Sequence, residues 1–339
     1  MKIVVLGSGG WGTALAMLLA QNGHEVTLWS FLKEEYETLS RDRENRQFLP
    51  GVPFPDQLQL TCDLACAASA ELVVVATPSF AVRATAGKLK ESLREDTIVV
   101  SVSKGIERDT GKRFTEIIAE ELDEKNPIVA LSGPSHAEEV GRGVPTAIIA
   151  ASSNRAAAEA VQDAFMNERF RVYTTPDVIG VELGGALKNI IALTAGVCDG
   201  LELGDNTKAA LMTRGLTEMA RLGVALGGHS ETFAGLAGVG DLIVTCTSMH
   251  SRNRRAGILI GQGKTPEEAV KEVGAVVEGY YATLSGKQLA EKHGIEMPIT
   301  EQSYAVLYEG KDPREALSEL MTRPQKSERE ESWMKTISW

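Results

Sequence analysis

A glycine-rich turn near the N-terminus is the feature that most restricts the fold. Residues 2–6 (KIVVL) are an apolar run of strand length, and residues 7–12 read GSGGWG before a helical pattern over residues 13–21. Gly7, Gly9 and Gly12 therefore match G-x-G-x-x-G between a strand and a helix, the setting that the dinucleotide-binding fingerprint requires. In that motif the backbone approaches a pyrophosphate at the helix N-terminus. The sequence predicts such a site; the alternative is a glycine-rich turn of another α/β protein.

Strand-like and helix-like segments alternate up to about residue 175. This alternation predicts a parallel, doubly wound Rossmann sheet within a domain of residues 1–176. The predicted strands are residues 2–6, 25–29, 72–76, 97–102, 128–131, 146–151 and 171–174. Ligands of such sheets lie beyond the carboxyl ends of the strands, where residues 77–78, Lys104 and residues 133–136 fall. Lys104 is either an ordinary solvated loop lysine or part of that site, and His136 is predicted to be a capping or surface residue.

The segment after the second strand distinguishes NAD from NADP in this fold. An acidic residue there binds the ribose 2′-hydroxyl, and an arginine binds a 2′-phosphate. This chain has Ser30, Phe31 and Leu32 at that point, and the nearest cation is Lys33. The sequence therefore predicts NAD(P)H as the cofactor and leaves the choice between the two open.

From residue 177 onward the periodicity is helical only. The predicted helices are residues 177–200, 207–226, 230–237, 252–261, 265–273, 282–293, 299–308 and 313–321. A chain of 339 residues exceeds the usual size of a single core, so two domains are expected. The sequence predicts an all-α C-terminal domain over residues 177–322, followed by a loosely held polar tail over residues 323–339.

Lys188 is the unusual residue of the first and most apolar of these helices. The apolar side chains of residues 177–200 surround the helix, which predicts a buried central helix rather than an amphipathic one. A membrane span is not expected, because Gly-Gly and Lys-Asn pairs interrupt the apolar run. Gly180 and Gly184 share one face with Lys188 and leave space beside its amine. The amine is either a functional group in that space or the end of a side chain that reaches water.

Two further segments of this half contain charged residues that could contact a ligand. Residues 235–241 (GLAGVGD) are a glycine-rich approach to the carboxylate of Asp241. Residues 251–255 (SRNRR) place a serine, three guanidinium groups and an amide at a predicted helix start. Arg252 and Asn253 lie where a helix N-terminus and charged donors together bind phosphate. Arg254 and Arg255 are expected to be solvated surface residues.

Charge and cysteine content exclude several other classes of protein. The net charge of −11 argues against a general binder of nucleic acid or of anionic membranes, so an anionic ligand requires a local cluster of cations. Cys62, Cys66, Cys198 and Cys246 form no C-x-x-C pair, so reduced thiols and no metal are expected. The N-terminus lacks the pattern of a signal peptide, which predicts a cytoplasmic protein.

Six motifs together resemble the bacterial type of NAD(P)-dependent sn-glycerol-3-phosphate dehydrogenase. They are GSGGWG (residues 7–12), SVSKGIE (101–107), LSGPSHAEEV (131–140), GVELGGALKNIIALTAG (180–196), GVGDLIVTCTS (238–248) and SRNRRAG (251–257). The resemblance extends from residue 1 to about residue 320. The sequence departs from the family pattern at Phe31 and Leu32, where relatives often carry His-Arg.

The resemblance implies a role for individual residues. It implies that Lys188 donates and accepts the substrate proton, with Asp241 and Lys104 as the other catalytic residues. The implied substrate contacts are Lys104, Gly133, Ser135, Lys188, Asn189, Asp241, Thr245, Ser251, Arg252 and Asn253. The implied cofactor contacts are Gly7, Gly9, Gly10, Trp11, Gly12, Phe31, Lys104, Ala137, Arg252, Val276 and Glu278.

The implied reaction is reversible hydride transfer between NAD(P)H and dihydroxyacetone phosphate, giving sn-glycerol 3-phosphate for glycerophospholipid synthesis. The helix that carries Lys188 begins the second domain, so the reaction is expected where the two domains meet. A homodimer is expected, with no nucleic-acid partner and no integral membrane segment. A β-hydroxyacid dehydrogenase and a non-catalytic nucleotide-sensing Rossmann protein are the alternatives. The cation cluster at residues 251–255 argues against the former, and Lys104, Lys188 and Asp241 argue against the latter.

Overall fold

The structure is a computed structural model that describes residues 1–108 and 110–328. The chain forms two compact units. The first contains Met1–Lys104 and Lys112–Val178, and the second contains Gly105–Gly111 and the chain from Ile179 onward. The short segment Gly105–Gly111 belongs to the second unit because Ile106 is buried in the core of that unit.

An eight-stranded sheet forms the centre of the first unit, in the order β3-β2-β1-β4-β5-β6-β7-β8. The strands are β1 (Lys2–Leu6), β2 (Glu25–Trp29), β3 (Gln59–Thr61), β4 (Leu72–Val75), β5 (Ile98–Ser101), β6 (Ile128–Ser132), β7 (Thr146–Ala151) and β8 (Phe170–Thr175). The short strand β3 was not predicted. Side chains alternate between the two faces along β1: Ile3 and Val5 belong to one buried cluster, and Val4 and Leu6 belong to another. Both faces are therefore covered, as the prediction of a doubly wound sheet requires.

The predicted parallel, doubly wound sheet is confirmed, with one departure from parallel pairing at β7. Strands β1 to β6 pair in parallel, but β6 and β7 pair antiparallel, and β7 and β8 are parallel to each other. A parallel connection needs a crossover, usually a helix that spans the sheet. The only helix between β6 and β7 in the described chain is the five-residue Ala137–Gly141. Such a helix rises only about 7.5 Å, too little to return the chain to the other end of the sheet.

Within the described residues, six α-helices belong to the first unit. They are α1 (Gly10–Gln21), α2 (Lys33–Asp42), α3 (Val82–Leu89), α4 (Phe114–Glu121), α5 (Ala137–Gly141) and α6 (Arg155–Phe165). The polar helix α2 was not predicted, because it buries only Leu39 and so has little apolar periodicity. The helix predicted to begin near residue 109 begins at Phe114, and Asp109 lies outside the described residues.

The second unit is built from helices. They are α7 (Val178–Gly200), α8 (Gly204–Ala225), α9 (Ser230–Phe233), α10 (Asp241–Thr247), α11 (Arg252–Gly261), α12 (Pro266–Val273), α13 (Glu278–His293), α14 (Pro298–Tyr308) and α15 (Pro313–Met321). A π-helical segment, Leu236–Gly240, precedes α10. The sequence predicted one helix over residues 230–237 and missed α10, because glycines interrupt the periodicity there.

Helix α7 is the core of this unit. Eighteen of its 23 residues are buried, which confirms the prediction of a central helix. It is long and apolar enough to cross a membrane, with a mean hydropathy of 1.4, but 83% of that apolar window is buried within the protein. In the predicted tail, Arg323 and Lys326 pair with Glu296. Residues 329–339 of the predicted tail lie outside the described residues.

Candidate functional site

The glycine-rich turn has the geometry of a phosphate-binding turn. Gly7 adopts φ +116°, and a Cβ atom there would lie 2.6 Å from the carbonyl oxygen of Ala76. A Cβ atom on Gly12 would lie 1.9 Å from the carbonyl oxygen of Gly7, so only glycine lets α1 pack this close to β1. A Cβ atom on Gly9, by contrast, would meet nothing within 4 Å, so the outer side of the turn is open at the start of α1. Open space beside a helix N-terminus fits the pyrophosphate of a dinucleotide.

Asn45 holds this turn and was missed by sequence reasoning. Its buried amide donates to the carbonyl oxygen of Ser8 at 2.7 Å and to Thr13 Oγ1 at 2.9 Å. Thr13 Oγ1 in turn donates to the same Ser8 carbonyl at 3.2 Å. Asn45 lies 37 residues after Ser8, in a polar stretch without periodicity, so no local signal marks it.

The carboxyl edge of the sheet brings Lys104, Gly133 and Ser135 together. Lys104 Nζ donates to the carbonyl oxygen of Gly133 at 2.9 Å, and Ser135 Oγ donates to the same oxygen at 2.8 Å. Lys104 is only partly exposed, so it is not the freely solvated lysine that the sequence left as an alternative. Ala137 opens α5, and its Cβ lies 3.6 Å from where a Cβ on Gly10 would be, which places it beside the glycine turn.

Several polar atoms at this edge are buried without a hydrogen-bond partner among the described residues. They include Thr77 Oγ1 after β4, Ser132 Oγ at the end of β6 and Trp11 Nε1 in the first turn of α1. Buried donors are normally satisfied, so these atoms are candidates for contacts with a ligand. The sequence marked Trp11 and the strand end at residues 77–78, but not Ser132.

Phe31 follows β2 and is 67% exposed. Its ring packs edge-to-face against Trp29, with the centroids 6.0 Å apart. Residues 30–32, between β2 and α2, form a loop that we call the Phe31 loop. Because Gly7 N donates to the carbonyl oxygen of Trp29 at 3.0 Å, the start of this loop adjoins the glycine turn.

In the second unit, Lys188, Asp241 and Thr245 form a buried polar cluster. Lys188 is 5% exposed, Asp241 1% and Thr245 4%. Lys188 Nζ donates to Asp241 Oδ1, with which it forms an ion pair, and to Thr245 Oγ1 at 2.7 Å. Thr245 Oγ1 donates to the backbone oxygen of Asp241 at 2.6 Å, so this hydroxyl accepts from the amine. The reading of Lys188 as a lysine that reaches water is therefore wrong.

Gly184 explains how Asp241 reaches the amine. A Cβ atom at position 184 would lie 2.5 Å from the carbonyl oxygen of Ala237, in the π-helical segment that leads to Asp241. The glycine face of α7 is thus filled by backbone and is not the open space that the sequence suggested. Close approach of the two backbones places Asp241, the first residue of α10, against Lys188.

Asn189, Asn253 and Gly279 form a second buried connection next to Lys188. Asn253 Nδ2 donates to Asn189 Oδ1 at 2.9 Å, and Gly279 N donates to Asn253 Oδ1 at 2.8 Å. This chain of contacts brings the start of α11 and the start of α13, with Glu278, to the residue after Lys188. Val276 precedes this helix start and is partly exposed.

The start of α11 is capped and packed against α7. Ser251 Oγ is buried and accepts a hydrogen bond from Arg254 N at 3.2 Å, so Ser251 is the N-cap. A Cβ on Gly196 would lie 2.1 Å from the carbonyl oxygen of Arg254, so glycine permits the two helices to touch. Arg252, the first residue of α11, is exposed and therefore accessible to an anionic ligand.

The expectation that Arg254 is a solvated surface residue is wrong. Its side chain is only 14% exposed, and its Nε donates to Asp199 Oδ2 at 2.7 Å. The same guanidinium donates to the carbonyl oxygen of Thr247 at 2.9 Å, and Lys208 also pairs with Asp199, at 2.5 Å. Arg254 therefore ties the end of α10 and the start of α11 to the end of α7. Arg255 is partly exposed, and its Nε is buried without a partner among the described residues.

The predicted site residues thus fall into two groups, one in each unit. The first unit carries the glycine turn with Ala137, the Phe31 loop, and Lys104 with Gly133 and Ser135. The second carries the Lys188 cluster, the Asn189 connection and the capped start of α11. Within residues 1–108 and 110–328, no group of three or more His, Cys, Asp or Glu side chains has the arrangement of a metal site.

Comparisons with known proteins give one consistent result. The family model for the N-terminus of NAD-dependent glycerol-3-phosphate dehydrogenase matches residues 2–158, and the model for its C-terminus matches residues 177–318. A glycerol-3-phosphate dehydrogenase [NAD(P)+] of Thermoanaerobacter sp. is 58% identical over 329 residues, covering 97% of this chain and 99% of that protein. Its counterpart from Fusobacterium nucleatum is 56% identical over 330 residues, covering 97% and 98%.

A solved structure agrees with the sequence relatives. The crystal structure of glycerol-3-phosphate dehydrogenase from Coxiella burnetii superposes with a TM-score of 0.91 at 42% identity, covering 95% of this chain and 98% of that one.

Proposed function

The chain belongs to the family of NAD-dependent glycerol-3-phosphate dehydrogenases, and we propose that Lys188 transfers the substrate proton in the reaction of this family. The activity is NAD(P)-dependent interconversion of dihydroxyacetone phosphate and sn-glycerol 3-phosphate. The observation that carries the assignment of Lys188 is its burial with two acceptors, Asp241 and Thr245. A buried ammonium with fixed acceptors is oriented, and orientation is what a proton donor needs.

When bound, the nicotinamide cofactor would supply the hydride that reduces the ketone carbon, and the residues of this chain handle the proton and the charge. Negative charge grows on the C2 oxygen as hydride adds. The Lys188 ammonium stabilises that charge and donates a proton from Nζ to the oxygen, which leaves the amine neutral. In the reverse direction the neutral amine accepts the hydroxyl proton. Asp241 stabilises the protonated form of the amine, and Thr245 fixes its direction.

We assign the substrate phosphate to the start of α11. Arg252 supplies a guanidinium there, and the helix N-terminus adds its dipole. Asn253 connects this helix start to Asn189, beside Lys188, so phosphate and carbonyl contacts come from one hydrogen-bonded framework. Ser251 holds the framework as the N-cap.

The remaining roles follow the two groups of residues. Lys104, with Gly133 and Ser135, is assigned to substrate contacts, and Lys104 adds positive charge for an anionic ligand. The glycine turn of residues 7–12 with Ala137 and the Phe31 loop are assigned to the dinucleotide. Val276 and Glu278, near the start of α13, complete the proposed cofactor contacts. The proposed domains are residues 1–176 for the cofactor and 177–322 for the substrate.

One steady-state assay tests the proposed activity. Oxidation of NADH and of NADPH is followed with dihydroxyacetone phosphate and, separately, with a β-keto acid. We expect turnover only with the phosphorylated ketone, which separates this activity from that of a β-hydroxyacid dehydrogenase. No turnover with any of them would favour a nucleotide-sensing protein.

Arg252→Ala tests the phosphate position. The KM for dihydroxyacetone phosphate is expected to rise by about 10- to 150-fold, because a charge-assisted hydrogen bond contributes about 1.5–3 kcal/mol. The KM for the nicotinamide cofactor should change little. A rise confined to the cofactor KM would show that the phosphate binds elsewhere.

We also propose a cellular setting for the enzyme. Its product supplies the glycerol backbone of phospholipids, and the protein acts in the cytoplasm as a homodimer. The apolar helical half supports the dimer. Light scattering of the purified protein tests the dimer, and a mass near 36.4 kDa would contradict it.

A further inference from the structure

The loop after β2 lacks the residue that normally selects between NAD and NADP. In the fingerprint fold the chain after β2 meets the ribose of the adenosine half, where an acid binds the 2′-hydroxyl or an arginine binds a 2′-phosphate. Ser30, Phe31 and Leu32 are none of these. Ser30 is buried, and Phe31 and Leu32 are 67% and 57% exposed, so this loop presents an apolar surface without charge of its own.

A cation from another element lies at this surface. Lys88, in the last turn of α3, places its Nζ 5.4 Å from the centroid of the Phe31 ring. Helical side chains point back toward the helix N-terminus, and in α3 that direction is toward the carboxyl edge of the sheet. Lys88 is exposed and has no ion-pair partner among residues 1–108 and 110–328.

The cations closer in sequence to the loop are already engaged. Lys33 pairs with Glu37 at 3.8 Å, and Arg41 pairs with Asp42 at 2.8 Å. Arg43 donates to the carbonyl oxygens of Leu58 and Pro55, and Arg46 lies near the carboxylates of Asp42 and Glu44. Among the described cations near the Phe31 loop, Lys88 is therefore the one without a carboxylate partner.

We propose that Lys88 binds the 2′-phosphate of NADPH and thereby sets how well this enzyme uses NADPH, in place of the arginine that the loop after β2 lacks. The inference rests on the proposed function, because it assumes that the dinucleotide lies on the glycine turn. It deepens that function by naming the residue that determines cofactor choice. The ammonium is exposed, so its contact with the 2′-phosphate favours NADPH only modestly, and NADH, which has no 2′-phosphate, can still bind.

Binding of two cofactor fragments tests the proposal without turnover. Adenosine 2′,5′-bisphosphate carries the 2′-phosphate, and adenosine 5′-monophosphate lacks it. By titration calorimetry at low salt, Lys88→Met should raise the Kd of the bisphosphate about fivefold, the loss expected for an exposed charge pair. The Kd of the monophosphate should change by less than about twofold. In turnover assays, the KM for NADPH divided by the KM for NADH should rise about fivefold, as the Kd of the bisphosphate does.

Two further variants serve as controls. Lys88→Arg should retain the preference for the bisphosphate, because the charge remains. Lys90→Met removes the same charge two residues away, where Lys90 pairs with Asp123 instead, and should change neither Kd. Added salt should weaken binding of the bisphosphate to the wild-type protein and narrow its difference from Lys88→Met.

The outcomes separate the inference from the function on which it rests. Suppose that wild-type protein binds both fragments. If Lys88→Met then changes neither Kd, or changes both equally, Lys88 does not bind the 2′-phosphate. If wild-type protein binds neither fragment, the dinucleotide site itself is wrong and both proposals fail.

Discussion

Replacing Lys188 with methionine separates the chemistry of the amine from the packing of its stem. Methionine keeps most of the apolar volume and removes the charge. Turnover is expected to fall about 10²–10⁴-fold, the usual contribution of a positioned proton donor. The free energy of unfolding should also fall, because Asp241 is 1% exposed and would lose the ammonium that pairs with its carboxylate. Removing one partner of a buried ion pair costs about 3–5 kcal/mol.

The double variant Lys188→Met/Asp241→Asn distinguishes the two losses. An amide in place of the carboxylate removes the unpaired charge, so most of the lost stability should return. Turnover should not return, because no group remains to donate the proton. Urea unfolding measures the stability, and NADH oxidation at saturating substrate measures turnover. Cofactor affinity, measured by titration, should remain close to that of the wild type in both variants.

Two results would refute this reasoning. If Lys188→Met retains turnover within about tenfold of the wild type, the amine is not the proton donor. If the double variant is no more stable than the single one, the unpaired carboxylate is not the source of the lost stability.

The remaining predictions concern residues that support the site and one buried carboxyl group, that of Glu218 in α8, which accepts hydrogen bonds from the backbone of Ile299 and Thr300. Gly184→Ala should lower kcat, because its Cβ would collide with the backbone at Ala237, before Asp241. Gly196→Ala should instead raise the KM for dihydroxyacetone phosphate, because its Cβ would collide with the backbone at Arg254, in α11. If each variant changed kcat and KM equally, this reasoning would be contradicted. Burial raises the pKa of Glu218 to about 7, so the folded state holds its proton more tightly than the unfolded chain. Stability should therefore fall by about 3 kcal/mol between about pH 4.5 and 7, and urea unfolding of Glu218→Gln should lose this slope. The ion pair between Arg254 and Asp199 holds the start of α11, so Arg254→Leu and Asp199→Asn should each raise the substrate KM at least several-fold. The cofactor KM should change little. An unchanged substrate KM would show that this ion pair does not position α11.

The first unit could be predicted well because its signals are local. The fingerprint glycines, the apolar runs and the strand ends lie within a few residues of the structures they specify, and β1 and β2 were predicted with their observed limits. The direction of β7 could not be predicted in this way, because it depends on whether α5 is long enough to cross the sheet. Asn45 was missed for a similar reason: its contacts join the glycine turn to a distant loop.

The chemistry of the second unit was predicted only in outline. The sequence marked Lys188 and Asp241 as unusual charges, but the helix that begins at Asp241 was missed because the glycines before it resemble a loop. Arg254 is shielded from solvent because it pairs with Asp199, which lies 55 residues earlier, and no periodicity in the sequence connects the two. Pairings of this kind follow from tertiary packing, which the local pattern does not contain.

The glycines of α7 are better explained by the partners they admit than by the space they leave. Gly184 lets the segment before Asp241 approach α7, and Gly196 lets the start of α11 approach it. The two positions are twelve residues apart, about 18 Å along the helix and about a third of a turn around it. One helix therefore fixes the proton-transfer group and the phosphate-binding helix through separate contacts on different faces. Since each contact is backbone against backbone, neither can be adjusted by a change of rotamer, and the positions of Lys188 and Arg252 are set by the packing of the core.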